Sequence, residues 1–163
     1  YTAKLDDREG EGKIRSRIGI KQEAETFAED DDLYRVVKAM NKERRVDCLL
    51  IDEAQFLSKE QVSQLGRLVD EEDIPILTYG IRTDFLGETF EGSRYLMAWA
   101  DEIKEIKTIC HCGKKATMNA RVDASGKMEK KGAQIEIGGN ERYVSLCRGC
   151  FVQGRTGPLR DRV

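Results

Sequence analysis

The sequence has no run of about 18 apolar residues, so no segment reads as a membrane-spanning helix. It shows no signal-peptide pattern. It also lacks an excess of either charge: 28 Lys and Arg face 30 Asp and Glu, a net of −2. A general nucleic-acid binder would be clearly basic, so that class is disfavoured. Histidine occurs once and proline twice. No internal repeat, low-complexity tract or Gly-x-x-x-x-Gly-Lys-Ser/Thr string is present. The chain opens at Tyr1, and Tyr1-Thr2-Ala3-Lys4-Leu5 reads as a strand already under way. Residues upstream of it are therefore expected, and any phosphate-gripping P-loop would have to lie there.

What is present suffices for a folded domain plus a small appendage: 163 residues, 39% of them hydrophobic. Residues 6–17 are charged, hold two glycines and read as a solvated loop. Leu33, Val36, Val37 and Met40 recur at helical spacing and predict a helix over 31–44, capped by Asp30 or Asp31. Val46 to Ile51 is short and apolar, a buried parallel strand with Cys48 as a small core residue. Ser58-x-x-Gln61 is a capping box opening a second helix, with Val62, Leu65, Leu68 and Val69 on its buried face. Asp73 to Gly80 is the next strand, and residues 81–93 form a loop with two aromatics. Leu96, Met97 and Trp99 predict a further core-facing helix. This alternation argues for an α/β layer with a mostly parallel sheet. Near residue 108 the character changes. Glycine and cysteine become dense, and a small β-rich module held by something other than its core is expected over 108–163, after an α/β core over 1–107.

Four of the five cysteines make that something concrete. Cys110-His111-Cys112 and Cys147-Arg148-Gly149-Cys150 bracket residues 113–146. Two short cysteine pairs around a loop are the pattern of a closed, structural zinc tetrahedron, with no open position for catalysis. Zinc would supply folding energy that so few apolar residues cannot. The alternatives are four reduced cysteines without metal, or His111 replacing one of them. An unpaired pattern of secreted disulfides fits poorly.

Leu49-Leu50-Ile51-Asp52-Glu53-Ala54-Gln55-Phe56 sets two carboxylates at the carboxyl end of an apolar strand, where open α/β sheets bind ligands. Phosphoryl-transfer enzymes place an acidic residue there to hold Mg²⁺ and a second to take a proton. Two acidic residues merely opening a loop is the plainer alternative.

Taken together, Tyr1-Thr2-Ala3-x-x-Asp6-Asp7-Arg8, Ser16-Arg17-Ile18-Gly19, Ile51-Asp52-Glu53-Ala54-Gln55-Phe56, Tyr79-Gly80-Ile81-Arg82-Thr83-Asp84-Phe85, Ile137-Gly138-Gly139-Asn140-Glu141-Arg142-Tyr143 and the cysteine quartet resemble the bacterial type II thymidine kinases, in order and over nearly the whole chain. The resemblance implies a P-loop-NTPase-like α/β core followed by a zinc-ribbon-like module. It implies transfer of the ATP γ-phosphate to the 5′-hydroxyl of thymidine, with Glu53 as general base, Asp52 on Mg²⁺, and Arg8 near the transferred phosphoryl group beside Asp6. Phe56, Ile81, Phe85 and Phe90 would enclose thymine. Each methyl contact there is worth only about 1–3 kcal/mol of selectivity. Asn119 to Arg142 would form a lasso loop over the nucleoside, tied at its ends to the zinc. Backbone groups of Ile135, Glu136, Ile137 and Gly138 would meet the thymine edge, and Tyr143 the deoxyribose. The family further implies a cytoplasmic homotetramer and feedback inhibition by dTTP, while the composition leads us to expect no membrane or nucleic-acid partner. On pattern alone Arg8 is a solvated loop charge, Phe85 and Phe90 are core or loop anchors, and Tyr143 is an ordinary strand residue. The competing function is a zinc-ribbon nucleic-acid-binding fragment of a P-loop NTPase. It explains the Asp-Glu-Ala-Gln string, but not the pI near 5.6 or the Gly-Gly-Asn-Glu-Arg-Tyr stretch.

Overall fold

The computed structural model describes residues 1–4, 13–15, 21–134 and 142–158. The chain divides into two compact units: Tyr1–Arg82 with Phe90–Asp101, and Thr83–Thr89 with Glu102–Val163. A boundary drawn from composition is necessarily sequential. Compactness instead groups Thr83–Thr89 with the cysteine-bearing part of the chain.

The first unit is α/β. Strand β1 (Thr2–Ala3) pairs in parallel with β4 (Thr26–Phe27), and β5 (Leu49–Ile51) with β6 (Ile76–Thr78). The Tyr1 nitrogen donates to the Leu50 carbonyl at 2.8 Å, and the Asp52 amide donates to the Tyr1 carbonyl at 2.9 Å. One residue bonded to two alternate positions of its neighbour is the parallel ladder pattern, so the strand order is β4-β1-β5-β6. Between β1 and β4, β2 (Lys13–Arg15) pairs antiparallel with β3 (Lys21–Glu23). Among the described residues, no helix is long and apolar enough to cross a membrane.

Helix α1 (Leu33–Glu43) starts two residues later than expected. Asp32 is its cap, accepting from the Arg35 amide at 2.9 Å, while Asp31 accepts from the Ala28 amide. Helix α2 (Lys59–Glu72) starts at the expected capping box: Ser58 Oγ accepts from the Gln61 amide, and Gln61 Oε1 accepts from the Ser58 amide. The Gln61 Nε2 then donates to the carbonyls of Ala28 and Asp31, tying α2 to the entry of α1. Val62, Leu65 and Leu68 of α2 join Leu33, Val37, Ile51, Leu57 and Ile74 in one core.

Several residues expected in that core lie outside it. Val36, Met40, Val69, Met97 and Trp99 are exposed, because each helix buries a narrower stripe than its periodicity suggests. Helix α3 (Glu91–Trp99) buries Gly92 and Ser93 and packs Tyr95 and Leu96, partly buried, against the core. Cys48 is also exposed, since β5 begins only at Leu49. Nor is β5 buried on both faces: Leu50 and Leu77, register partners in β5 and β6, are exposed together.

The second unit is antiparallel. Strand β7 (Thr108–Ile109) pairs with β8 (Lys115–Ala116), and β9 (Met118–Arg121) with β10 (Tyr143–Leu146). Helix α4 (Arg148–Val152) follows β10. One buried cluster here is built from Cys110, Ala116, Ala120, Leu146, Cys147 and Cys150, with Met128, Val144 and Phe151 against it.

Candidate functional site

Strand β5 ends on Ile51, which is fully buried, and delivers Asp52 and Glu53 to its carboxyl edge. Glu53 sits in the left-handed region, φ 52° and ψ 36°, which is costly for a residue with a Cβ. Two side chains flank it. Asp52 Oδ1 accepts from the Glu53 amide at 2.9 Å. The Gln55 Nε2 donates to Glu53 Oε2 at 2.5 Å. A 3-10 turn, Ala54–Phe56, follows at once, and the Ala54 amide donates to the Tyr79 carbonyl at 2.8 Å. The carboxylates are thus placed by backbone geometry: strand, left-handed residue, tight turn. Such an arrangement can hold a cation and accept a proton.

Three residues expected around the nucleobase lie in the same unit. Phe56 and Phe90 form an edge-to-face pair with centroids 5.8 Å apart. Phe90 is buried and precedes α3, which matches the anchor role open to it on pattern alone. Ile81 is 43% exposed, and both of its backbone groups are engaged by side chains. Its amide donates to Gln55 Oε1 at 3.2 Å, and its carbonyl accepts from Ser93 Oγ at 2.7 Å. Gln55 and Ser93 were passed over in the sequence. Their only signal was proximity to the Asp-Glu pair and to the start of α3.

Phe85 belongs to the second unit and is 2% exposed. The Arg121 guanidinium lies 3.7 Å over its ring. Arg121 is itself buried, paired with Glu129 at 2.6 Å and donating to the Ala133 carbonyl at 3.2 Å. Arg142 pairs with Glu129 as well. Beside this network, Asp84 accepts from the amides of Leu86 and Glu88 and from Gln134 Nε2. Phe85 is therefore a packed anchor in this structure, as its pattern allowed. Tyr143 lies on β10, 36% exposed, opposite Arg121. Asp6, Arg8, Ile135, Glu136, Ile137 and Gly138 lie outside the described residues.

The sulfurs of Cys110, Cys112, Cys147 and Cys150 lie within 4.8 Å of one another. Zinc–sulfur bonds of about 2.3 Å in a tetrahedron place sulfurs about 3.8 Å apart. The Cys112–Cys147 separation is 3.6 Å, so the quartet fits such an ion. The Cys150 amide donates to the Cys147 sulfur at 3.5 Å, and that donor, outweighing burial, brings the Cys147 thiol down to about 7. Burial pushes Cys150 up to about 12. A cation at the centre would keep all four as thiolates. His111 is not part of the quartet: its Nε2 lies 3.1 Å from the Arg155 carbonyl oxygen.

The family model described as thymidine kinase matches residues 1–151. The thymidine kinase of Vibrio vulnificus strain CMCP6 is 58% identical over 148 residues, covering 91% of this chain and 77% of the relative. That of Shewanella oneidensis is 55% identical over 150 residues, 92% of this chain and 78% of the relative. That of Mannheimia succiniciproducens is 53% identical over 161 residues, 99% of this chain and 82% of the relative.

Proposed function

The chain belongs to the thymidine kinase family and phosphorylates thymidine, and from that premise we propose that ATP is the donor, its γ-phosphate passing to the 5′-hydroxyl with Glu53 as the base. The observation that supports this reading is the Asp52–Glu53 pair at the carboxyl edge of a parallel strand, where the turn fixes the direction of the second carboxylate. A carboxylate in that position can take the hydroxyl proton as the bond to phosphorus forms. Asp52 would share in holding Mg²⁺, which neutralises charge on the triphosphate. Arg8 and Asp6 are proposed beside the transferred group. Spread negative charge there is what a guanidinium stabilises.

The thymine pocket is proposed from Phe56, Ile81, Phe85 and Phe90, with Ile135, Glu136, Ile137 and Gly138 presenting backbone groups and Tyr143 near the sugar. The quartet Cys110, Cys112, Cys147 and Cys150 is proposed to hold a structural Zn²⁺; an ion with four protein ligands supplies folding energy, not a reactive position. A P-loop-type phosphate cradle, a homotetramer, a cytoplasmic location and inhibition by dTTP complete the reading. The alternative of a nucleic-acid-binding fragment is not favoured, because the family match runs through both units.

The test is thymidine phosphorylation by the full-length protein with Mg²⁺–ATP, beside Glu53→Gln. The expected loss in the variant is at least about 100-fold in kcat, the scale of general-base catalysis. Undiminished turnover by Glu53→Gln would remove Glu53 as the base.

A further inference from the structure

We infer that Gln55 is a positioning residue for the Glu53 carboxylate, an inference that rests on the reading of Glu53 as the base. Gln55 is 3% exposed, an unusual place for an amide unless both of its ends are satisfied. Both are. Its Oε1 accepts from the Ile81 amide at 3.2 Å, and its Nε2 donates to Glu53 Oε2 at 2.5 Å. The orientation of the amide follows from chemistry rather than choice. A backbone N–H can only donate and an ionised carboxylate can only accept, so the oxygen must face Ile81 and the nitrogen Glu53.

Gly80 and Gly92 approach Gln55 closely. A Cβ on Gly80 would stand 2.7 Å from Gln55 Oε1 and 3.1 Å from the Gln55 backbone nitrogen. A Cβ on Gly92 would stand 2.9 Å from the Gln55 carbonyl oxygen. The backbone of Gln55 lies in the 3-10 turn anchored on the Tyr79 carbonyl. So a rigid, buried amide grips one oxygen of a carboxylate whose own backbone is already held left-handed. Glu has three side-chain torsions, and an unfixed base spends much of its time misaligned with the hydroxyl. Gln55 removes that freedom by holding Glu53 Oε2 in a hydrogen bond. The same side chain holds the Ile81 amide, so the base and one wall of the proposed thymine pocket share one support.

The test compares Gln55→Met and Gln55→Glu with the parent and Glu53→Gln, using the full-length protein. Gln55→Met keeps the volume and removes the donor. Its kcat is expected to fall about 10- to 100-fold with the KM for thymidine changed less than about 3-fold. Gln55→Glu keeps an acceptor for Ile81 but sets a second carboxyl against Glu53. The pair then titrates as a unit, and an ionisation about one pH unit or more above the parent's acid limb enters the pH–rate profile. A structural role alone would leave that profile in place. A parent-like kcat in Gln55→Met, or loss of activity in both variants with the acid limb unmoved, overturns the inference while the Glu53 reading stands. Retained activity in Glu53→Gln removes both.

Discussion

A Cβ on Gly92 would lie 2.6 Å from the Ala54 carbonyl oxygen, 2.7 Å from that of Leu57 and 2.9 Å from that of Gln55. These carbonyls belong to the turn that follows Glu53, so α3 approaches the carboxylate turn only where a side chain is missing. Gly66, inside α2, has nothing within 4 Å of the same hypothetical atom. The two glycines make opposite predictions for one substitution. Ala gains up to about 1 kcal/mol over Gly within a helix. Gly66→Ala is therefore expected to raise the urea midpoint. At Gly92 the crowding of three backbone oxygens costs about 1–3 kcal/mol and outweighs that gain. Gly92→Ala is expected to lower the midpoint and, by displacing Gln55 and Glu53, the rate of thymidine phosphorylation. A Gly92→Ala protein as stable as Gly66→Ala would show that α3 can move back without cost.

On the face shared by α1 and α2, Tyr34 is held between charges. Its hydroxyl donates to Glu71 Oε2 at 2.6 Å and accepts from Lys38 Nζ at 2.8 Å. The Arg67 guanidinium lies 4.0 Å over its ring and also donates to Glu71 Oε1 at 3.0 Å. The Arg67 hydrogen bond first, then that of Tyr34, draws the Glu71 carboxyl from 4.5 down to about 2. A pKa lowered by folding means the contribution is present above pH 4.5 and is lost as pH falls toward 2. Glu71→Gln is expected to narrow its stability deficit against the parent over that window, read as converging urea midpoints. The pair is exposed, so the deficit at neutral pH is small. A deficit independent of pH would mean that packing, not charge, links Glu71 to Tyr34. None of this was legible in the sequence, whereas the start of α2 was. The capping box depends on residues three apart, and Ser58 and Gln61 bond as their spacing requires. Exposure of Val36, Met40, Met97 and Trp99 depends on what lies opposite, which periodicity does not report. At the site, the Asp52–Glu53 pair and the cysteine quartet were legible because their chemistry needs close spacing. The Arg121 cover on Phe85 was not, because it joins residues far apart in the chain.

At the scale of the whole chain, the two units are stabilised by different means. The first has a conventional core in which Phe27, Leu33, Ile51, Leu57, Leu65, Leu68 and Ile74 meet. Burying side chains of that size is worth about 1.5–3 kcal/mol each before entropy is counted. The cluster around β8–β10 and α4 contains three cysteines, two alanines and one leucine as its buried members. Beyond that cluster the second unit buries Phe85 and Val122, an apolar interior still small beside the loops it must order, and the proposed Zn²⁺ would supply folding energy there. Metal removal should therefore act unevenly. Elemental analysis of the purified protein is expected to give about one zinc per chain, as one tetrahedral site requires. Chelation followed by hydrogen exchange is expected to deprotect β7 to β10 and α4, while α2 and β5 keep most of their protection. Cys147→Ser should reproduce the pattern without chelator, because Cys147 both joins the quartet and caps α4. Uniform deprotection would mean that the first unit draws its stability from the second. No deprotection would mean that the quartet contributes little to folding and that the antiparallel pairs hold the second unit by themselves.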